Sequence, residues 1–210
     1  MTPDALVHVV DDDEAARESL EFLLRAASFD VRTYEAPQAL LASLPLPEGG
    51  CIVTDVRMPG MTGLEMLQRL NELDILLPVV VITGHGDVPL AVEAMKLGAA
   101  DFIEKPFSEN AILAAVRGAL TRTTTPQSDE TAEIVARIAG LTQREKQVLD
   151  GVVGGQSNKV VALALGISPR TVEIYRANVM TKMGAESLSD LVRMTLTAEG
   201  GGRGAHKKQT

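Results

Sequence analysis

A doubly wound α/β domain followed by a smaller all-helical domain is the fold class the sequence predicts, and three observations predict it. From residue 6 to residue 120, short β-branched runs alternate with stretches whose apolar residues recur every three or four positions. A polar segment with a proline, TRTTTPQSDET (121–131), then interrupts the pattern. Beyond it, residues 141–195 carry helical signals alone, about four short ones.

The strands come first. LVHVV (6–10), DVRTY (30–34), CIVTD (51–55), VVVIT (79–83) and DFIEK (101–105) read as five strands, and segments between them such as EAARESLEFLLRAA and GLEMLQRLNEL read as helices, giving five βα units. The first, third and fourth runs are apolar without interruption, which suits central strands of a parallel sheet covered on both faces. No sequence repeat of fixed period accompanies the alternation, which argues against a solenoid. The linker is expected at 123–136, where AEIVARI could extend as helix, and the glycine-rich basic tail 199–210 is expected to lack structure.

Composition narrows the chemistry. With 45% apolar residues the 210-residue chain can bury one medium core or two small ones. The net charge of −8 is uneven: residues 1–125 hold 19 acids and 9 bases, whereas residues 126–210 hold 9 and 11, so the two halves meet different partners. A single cysteine, Cys51, excludes an internal disulfide and a cysteine-based zinc site, and His8, His85 and His206 are scattered. No apolar run is long enough to span a bilayer and the N-terminus has no leader pattern, so a cytoplasmic protein without membrane contact is expected. Aromatic residues at 3% argue against a stacking surface for single-stranded nucleic acid.

HVVDDDEAARESL (8–20) sets four acids in a row against the end of the first strand. Adjacent carboxylates repel and resist losing water, so such a cluster implies a positive partner. In a doubly wound sheet the C-terminal strand ends share one edge, where ligands sit. Asp11, Asp12 and Asp13 follow the first strand, Asp55 ends the third, Thr83 the fourth and Lys105 the fifth, just before Pro106. With the first and third strands adjacent, roughly 5 Å apart, Asp12 and Asp55 can address one volume. Carboxylates without histidine or cysteine form a hard-oxygen set suited to Mg²⁺. Alternatively, acids after a strand cap the next helix, where Asp13 and Glu14 meet its positive end. Taken together, a carboxylate, a hydroxyl and an ammonium beside a metal are what phosphoryl transfer requires.

VVDDDE, IVTDVRMPGMTG, VVITGHGD and DFIEKPF, in this order and spacing, resemble the receiver domain of bacterial response regulators over about residues 1–122. The resemblance implies that Asp55 accepts a phosphoryl group from a partner sensor histidine kinase. It implies that Asp11, Asp12 and Asp55, with the backbone carbonyl of Arg57, hold Mg²⁺, that Thr83 and Lys105 contact the phosphoryl oxygens, and that Lys105-Pro106 is cis. It further implies a switch in which Thr83 moves inward and Phe102 rotates into the space released, although Phe102 is also readable as plain core. The altered face would then let Val92 and Lys96 meet a second copy in a phosphorylation-dependent homodimer.

In the second half, Thr142 and Glu145 form a capping box, Gly154 and Gly155 stop a first helix, Ser157 or Asn158 caps a second, and Ser168-Pro169 opens a third that runs to about Met183. Two capped helices joined by the short turn Gly166-Ile167-Ser168 form a helix-turn-helix. Along the third helix Val172, Tyr175, Val179 and Met183 make an apolar stripe, with a polar, largely cationic remainder suited to a major groove, or to simple solvation. LTQREKQVL, SNKVVA and ISPRTVEIYRANVMTKM resemble the helix-turn-helix of the LuxR and NarL class, expected over 137–198, with Tyr175 at a position where histidine is also common. The candidate DNA contacts are Lys159, Ser168, Arg170, Thr171, Glu173, Arg176, Asn178 and Lys182.

Both halves together resemble the FixJ-type regulators. That resemblance implies an activator working on double-stranded DNA with RNA polymerase, on nitrogen-fixation or respiratory genes, and no enzyme activity beyond self-phosphorylation and self-dephosphorylation. Two other readings use the same residues: a Mg²⁺-dependent phosphatase with an aspartyl nucleophile, although such enzymes usually carry DxD on the first strand, and a scaffold that merely binds partners.

Overall fold

The computed structural model describes residues 5–47, 49–84, 88–122 and 128–204. Its chain separates into two units, one of residues up to 86 with 97–125, the other of residues 87–96 with those from 126 onward.

The first unit is a five-stranded, wholly parallel sheet in the order β2-β1-β3-β4-β5. Its strands are β1 (Leu6–Val10), β2 (Asp30–Tyr34), β3 (Cys51–Asp55), β4 (Val79–Gly84) and β5 (Asp101–Lys105). The uninterrupted apolar runs are the central strands, as expected: Val7, Val9, Cys51, Val53, Val80 and Ile82 form one face. Helices α1 (Glu14–Ala26) and α5 (Glu109–Arg122) cover it through Leu20, Leu24, Ile112 and Val116. β2 and β5 are edges, and β2 mixes exposed positions with the buried Val31 and Tyr34. The short α2 (Pro37–Ala42) and α3 (Gly63–Glu72) complete this unit. His8 is buried, its Nδ1 lies 3.0 Å from the Tyr34 hydroxyl, and burial, with the Arg32 charge, lowers its pKa. Cys51 is likewise buried in β3, which pushes its thiol up to about 12.

The second unit contains α6 (Ser128–Ala139), α7 (Gln143–Val153), α8 (Asn158–Leu165), α9 (Pro169–Met183) and α10 (Leu188–Gly204). The expected punctuation is present. Thr142 and Glu145 exchange both capping-box bonds, Ser157 accepts from the Val160 N–H, and Ser168 accepts from the Thr171 N–H. Gly166 ends α8 at φ +66°, a left-handed conformation natural to glycine. Val148, Val152, Val161, Val172, Val179, Met183 and Leu191 build the core.

The structure departs from expectation in three places. The segment at 121–131 is helical at both ends, within α5 and α6, and residues 123–127 lie outside the described residues. The tail is not wholly without structure: α10 reaches Gly204, because Leu191, Val192 and Met194 anchor its start and an established helix propagates even into glycines that cost about 1 kcal/mol each. Residues 205–210 lie outside the described residues. Finally, α4 (Val88–Lys96) falls in the second unit, packed along α10, whereas the sequence places it with residues 1–122. Its buried Ala91, Val92, Ala94 and Met95 span about 160° of the helix, wider than a single packing stripe. A Cβ on Gly155, at φ +77°, would come within 3.3 Å of Pro89 Cα, so that position suits glycine.

Candidate functional site

The strand register places the first site. Val10 pairs with Thr54, Asp55 with Ile82, and Gly84 with Lys105, so the acids after β1 and at the end of β3 converge on the edge where Lys105 ends β5. The three consecutive aspartates do three different things. Asp13 is the helix cap, accepting from the Ala16 N–H at 3.0 Å. Asp12 is exposed. Asp11 turns inward and is 2% exposed; its Oδ1 accepts from the Asp13 N–H at 2.9 Å, and its Oδ2 faces Lys105.

Lys105 Nζ donates to Asp55 Oδ1 at 2.8 Å and to Asp11 Oδ2 at 3.2 Å. The Arg57 N–H donates to Asp55 Oδ2 at 2.7 Å. Burial raises the Asp11 pKa, outweighing the Asp13 N–H and Lys105, which act in the other direction, while the Asp55 charge adds to the rise. Burial works against the Lys105 ammonium, but the Asp55 hydrogen bond and the charges of Asp55 and Asp11 outweigh it and hold its pKa above the ordinary value. One ammonium thus answers two acids, the buried Asp11 and the half-buried Asp55. Thr83 is buried at the end of β4, its Oγ1 3.4 Å from the Gly84 carbonyl oxygen. The Lys105-Pro106 bond is cis, and so is Leu44-Pro45.

The donor chemistry here, carboxylates and main-chain oxygens, fits Mg²⁺. Among the described residues no three acids or histidines stand together at ligand spacing; Asp11 and Asp55 converge and Asp12 is the nearest further acid along the chain. Two contributors were not singled out from sequence. Arg17 Nη1 donates to the Asp11 carbonyl at 2.7 Å and braces the loop. Gly63 opens α3 where any Cβ would collide with the Asp55 carbonyl oxygen, so the glycine after Met61-Thr62 seats the acid.

Phe102 is half-buried opposite Val81 in β5. Lys96 is exposed, but Val92 is 2% exposed within α4, so a second copy could reach it only if α4 left its present packing.

The second site is the helix-turn-helix, α8 and α9. Val172, Val179 and Met183 are fully enclosed and Tyr175 packs beside them, as the stripe predicts. The cationic remainder proves less free than the sequence suggests. Arg170 Nη1 donates to Glu173 at 2.9 Å, Arg176 Nη1 donates across to Asn158 Oδ1 on α8 at 2.9 Å, and Lys182 Nζ donates to the buried Glu145 on α7 at 2.8 Å. Ser168 and Thr171 are joined at 2.8 Å in the α9 cap. Lys159, Arg170, Glu173 and Asn178 are exposed. Sequence reasoning passed over Ile174, which is exposed on the same side; at about 200° from Val172 on a helical wheel, the period alone places it opposite the core.

Comparisons with known proteins match the two halves of the chain to separate families, with α4 inside the first match. The response regulator receiver domain matches residues 7–117, and the bacterial regulatory proteins of the luxR family match residues 139–195. The transcriptional regulatory protein FixJ of Azorhizobium caulinodans is 60% identical over 200 residues, covering 93% of this chain and 94% of that protein. FixJ of Bradyrhizobium diazoefficiens is 50% identical, covering 94% and 98%. The crystal structure of full-length FixJ from B. japonicum superposes with a TM-score of 0.54 at 49% identity, covering 94% of this chain and 98% of that one. No helix among the described residues is long and apolar enough to cross a membrane. An acidic edge on a parallel sheet, bridged by one lysine, and a helix-turn-helix further along one chain are thus the two halves of a single family, and this chain belongs to the response regulators that join a receiver domain to a LuxR-type DNA-binding domain, as FixJ does.

Proposed function

We propose that this chain is a phosphorylation-dependent transcription regulator of the cytoplasm, with a receiver domain over residues 1–122 and a DNA-binding domain over residues 137–198. The family is one of transcription regulators rather than enzymes, and its members pair with histidine kinases and bind DNA. The observation that carries the reading is the Lys105 ammonium bridging Asp55 and Asp11 on the sheet edge.

In the proposed reaction an Asp55 carboxylate oxygen attacks the phosphorus of a phosphohistidine on the partner kinase; the phosphorus–nitrogen bond breaks, the imidazole leaves and takes up a proton, and an acyl phosphate forms on Asp55. The Arg57 N–H orients Asp55, while Thr83 and Lys105 receive the transferred oxygens. Receiver domains in general use Mg²⁺ at this position; Asp11, Asp12, Asp55 and the Arg57 carbonyl would hold it, and it would supply the positive charge that two acids sharing one lysine lack. Once the phosphoryl group occupies Lys105, the ammonium exchanges carboxylate for phosphoryl oxygens. Thr83 and Phe102 then relay the change to the face of α4, and Val92 and Lys96 support a homodimer. The dimer presents two copies of α9 to successive half-sites of double-stranded DNA and recruits RNA polymerase as an activator, with nitrogen-fixation or respiratory genes as targets by likeness to the FixJ relatives. Lys159, Ser168, Arg170, Thr171, Glu173, Arg176, Asn178 and Lys182 form the proposed DNA set, with Arg176 and Lys182 having to exchange their present partners or to act by positioning α9.

DNase footprinting of the full chain with and without acetyl phosphate and Mg²⁺ tests this. Protection that appears only after treatment, and is absent in Asp55→Asn, is the expected result. Protection indifferent to both would leave a DNA-binding protein without a phosphoryl switch.

A further inference from the structure

The phosphoryl-transfer reading leaves a buried histidine without a task. His8, on β1, is fully enclosed, and its side chain lies on the sheet face opposite the one that α1 and α5 cover, since its neighbours Val7 and Val9 pack on that face. Its Nε2 meets no hydrogen-bond partner among the described residues. Burying a nitrogen without a partner is unfavourable, and a leucine would fill the same place at no such cost. Packing alone does not account for a histidine here.

Its other nitrogen is engaged. Nδ1 lies 3.0 Å from the Tyr34 hydroxyl, with the two rings stacked at 5.8 Å and 25°. The Tyr34 hydroxyl lies in turn 3.3 Å from Ser43 Oγ, which donates to the Leu40 carbonyl at 2.7 Å where α2 ends. Side chains thus tie β1 and β2 to α2. Tyr34 is the last residue of β2, an edge strand that β1 alone holds by main-chain bonds. The end of such a strand frays unless something else fastens it. The register between β1 and β2 stops at Val10 and Tyr34, and the next bond in line runs from the Asp11 N–H to the Tyr34 carbonyl at 3.2 Å. Asp11 leaves the sheet from a fixed point only while Tyr34 is fixed. We infer that His8 and Tyr34 are positioning residues: their buried hydrogen bond holds the end of β2 and, through the Tyr34 carbonyl, sets where Asp11 presents its carboxylate to Mg²⁺. The inference rests on the phosphoacceptor reading above and names what aligns one of its acids. Asp55 and Lys105 stand on β3 and β5, so the brace governs the metal ligand and leaves the acceptor in place.

Phosphorylation of the full chain by acetyl phosphate, followed by intact mass across a Mg²⁺ titration, tests this with His8→Leu and Tyr34→Phe, each of which keeps a similar volume and removes the hydrogen bond. The Mg²⁺ concentration that gives half the maximal rate is expected to rise about tenfold in both, for a displacement well short of the roughly 1 Å that costs about 10²-fold. The rate at saturating Mg²⁺ should hold. The double variant should shift the midpoint no further than either single one, because the two residues act through one bond. His8→Leu should melt no lower than the wild type, and the Asp11 amide should exchange faster in both variants. A structural role alone would move the melting temperature and leave the Mg²⁺ midpoint where it was. An unchanged midpoint in either variant, or a lower saturated rate without a shift in midpoint, would overturn the inference and leave the phosphoacceptor reading intact. A wild-type chain that takes up no phosphoryl group at any Mg²⁺ concentration would overturn both.

Discussion

Lys105 and Lys182 each place an ammonium 2.8 Å from a carboxylate oxygen, the first at Asp55 and the second at Glu145. In the helical unit one oxygen gathers the donors: Glu145 Oε2, the acceptor of Lys182, also accepts from the Thr142 N–H and hydroxyl of the helix cap. The Lys182 hydrogen bond, first, and the Thr142 N–H, next, hold its pKa down at about 2. At the sheet edge the same pairing is left open, because Lys105 is shared with Asp11, whose pKa burial raises. Similar distances therefore serve opposite ends. A carboxylate paired with its own lysine at a helix start is a structural cap, and two acids that share one lysine are placed to receive a cation and a phosphoryl group.

The largest effect expected from breaking this contrast is at Lys105. Lys105→Met should slow phosphorylation by acetyl phosphate roughly 10²-fold, the scale of removing one electrostatic donor from a transfer site, whereas Lys182→Met should leave that rate unchanged and lower the melting temperature by several degrees. Intact-mass time courses and calorimetry on the full chain separate the two, and equal phosphorylation rates would erase the distinction.

Acid sharpens it next. Glu145 has a folded pKa below its ordinary 4.5, so its contribution to stability is fully present above pH 4.5 and is lost as pH falls toward about 2. Asp11 has a folded pKa above its ordinary 3.8, so its ionisation opposes folding; that opposition is relieved as pH falls through the raised value toward 3.8. Amide protection followed by NMR from neutral pH downward should therefore decline first in α7 and α9, and Glu145→Gln should flatten that decline.

A smaller effect distinguishes the cations of α9. Arg170, exposed at its guanidinium, should contribute about one unit to the salt slope of DNA affinity, and Arg170→Ala should remove it. Arg176→Ala should in addition reduce thermal stability, since its bond to Asn158 ties α9 to α8; titrations at several salt concentrations and melting curves report both. Smallest is Thr142→Ala, which removes one cap acceptor and should cost about 1 kcal/mol in urea denaturation while phosphorylation proceeds unchanged.

Much of this was legible in the chain, and for identifiable reasons. The three central strands declared themselves because a parallel sheet buried on both faces needs uninterrupted apolar runs, and β4 differs from its expected span only by including Gly84. The caps at Thr142, Ser157 and Ser168 were legible because capping is a local interaction among residues within three positions. Arg176 and Lys182 were read as part of a free cationic front, and that reading missed Asn158 and Glu145, which lie 18 and 37 residues away. A polar residue on a helix carries no mark of whether its partner is water or another helix. The glycine-rich end of α10 was missed because propensity counts residues one at a time, whereas a helix anchored by Leu191 and Val192 propagates.

The order of apolar and polar residues by itself determined the sheet, the helices, their caps and the four strand ends that carry acid, hydroxyl and ammonium, because periodicity and capping act over a turn or a strand. Only the tertiary structure decided how those groups divide their labour: which of three adjacent aspartates caps, which is exposed and which is buried, that one lysine serves two acids, and that α4 packs along α10. The reason is that charge compensation and burial depend on what lies across a gap of a few ångströms in space, and parallel strand order brings together residues such as Asp11 and Lys105 that stand 94 positions apart in the chain.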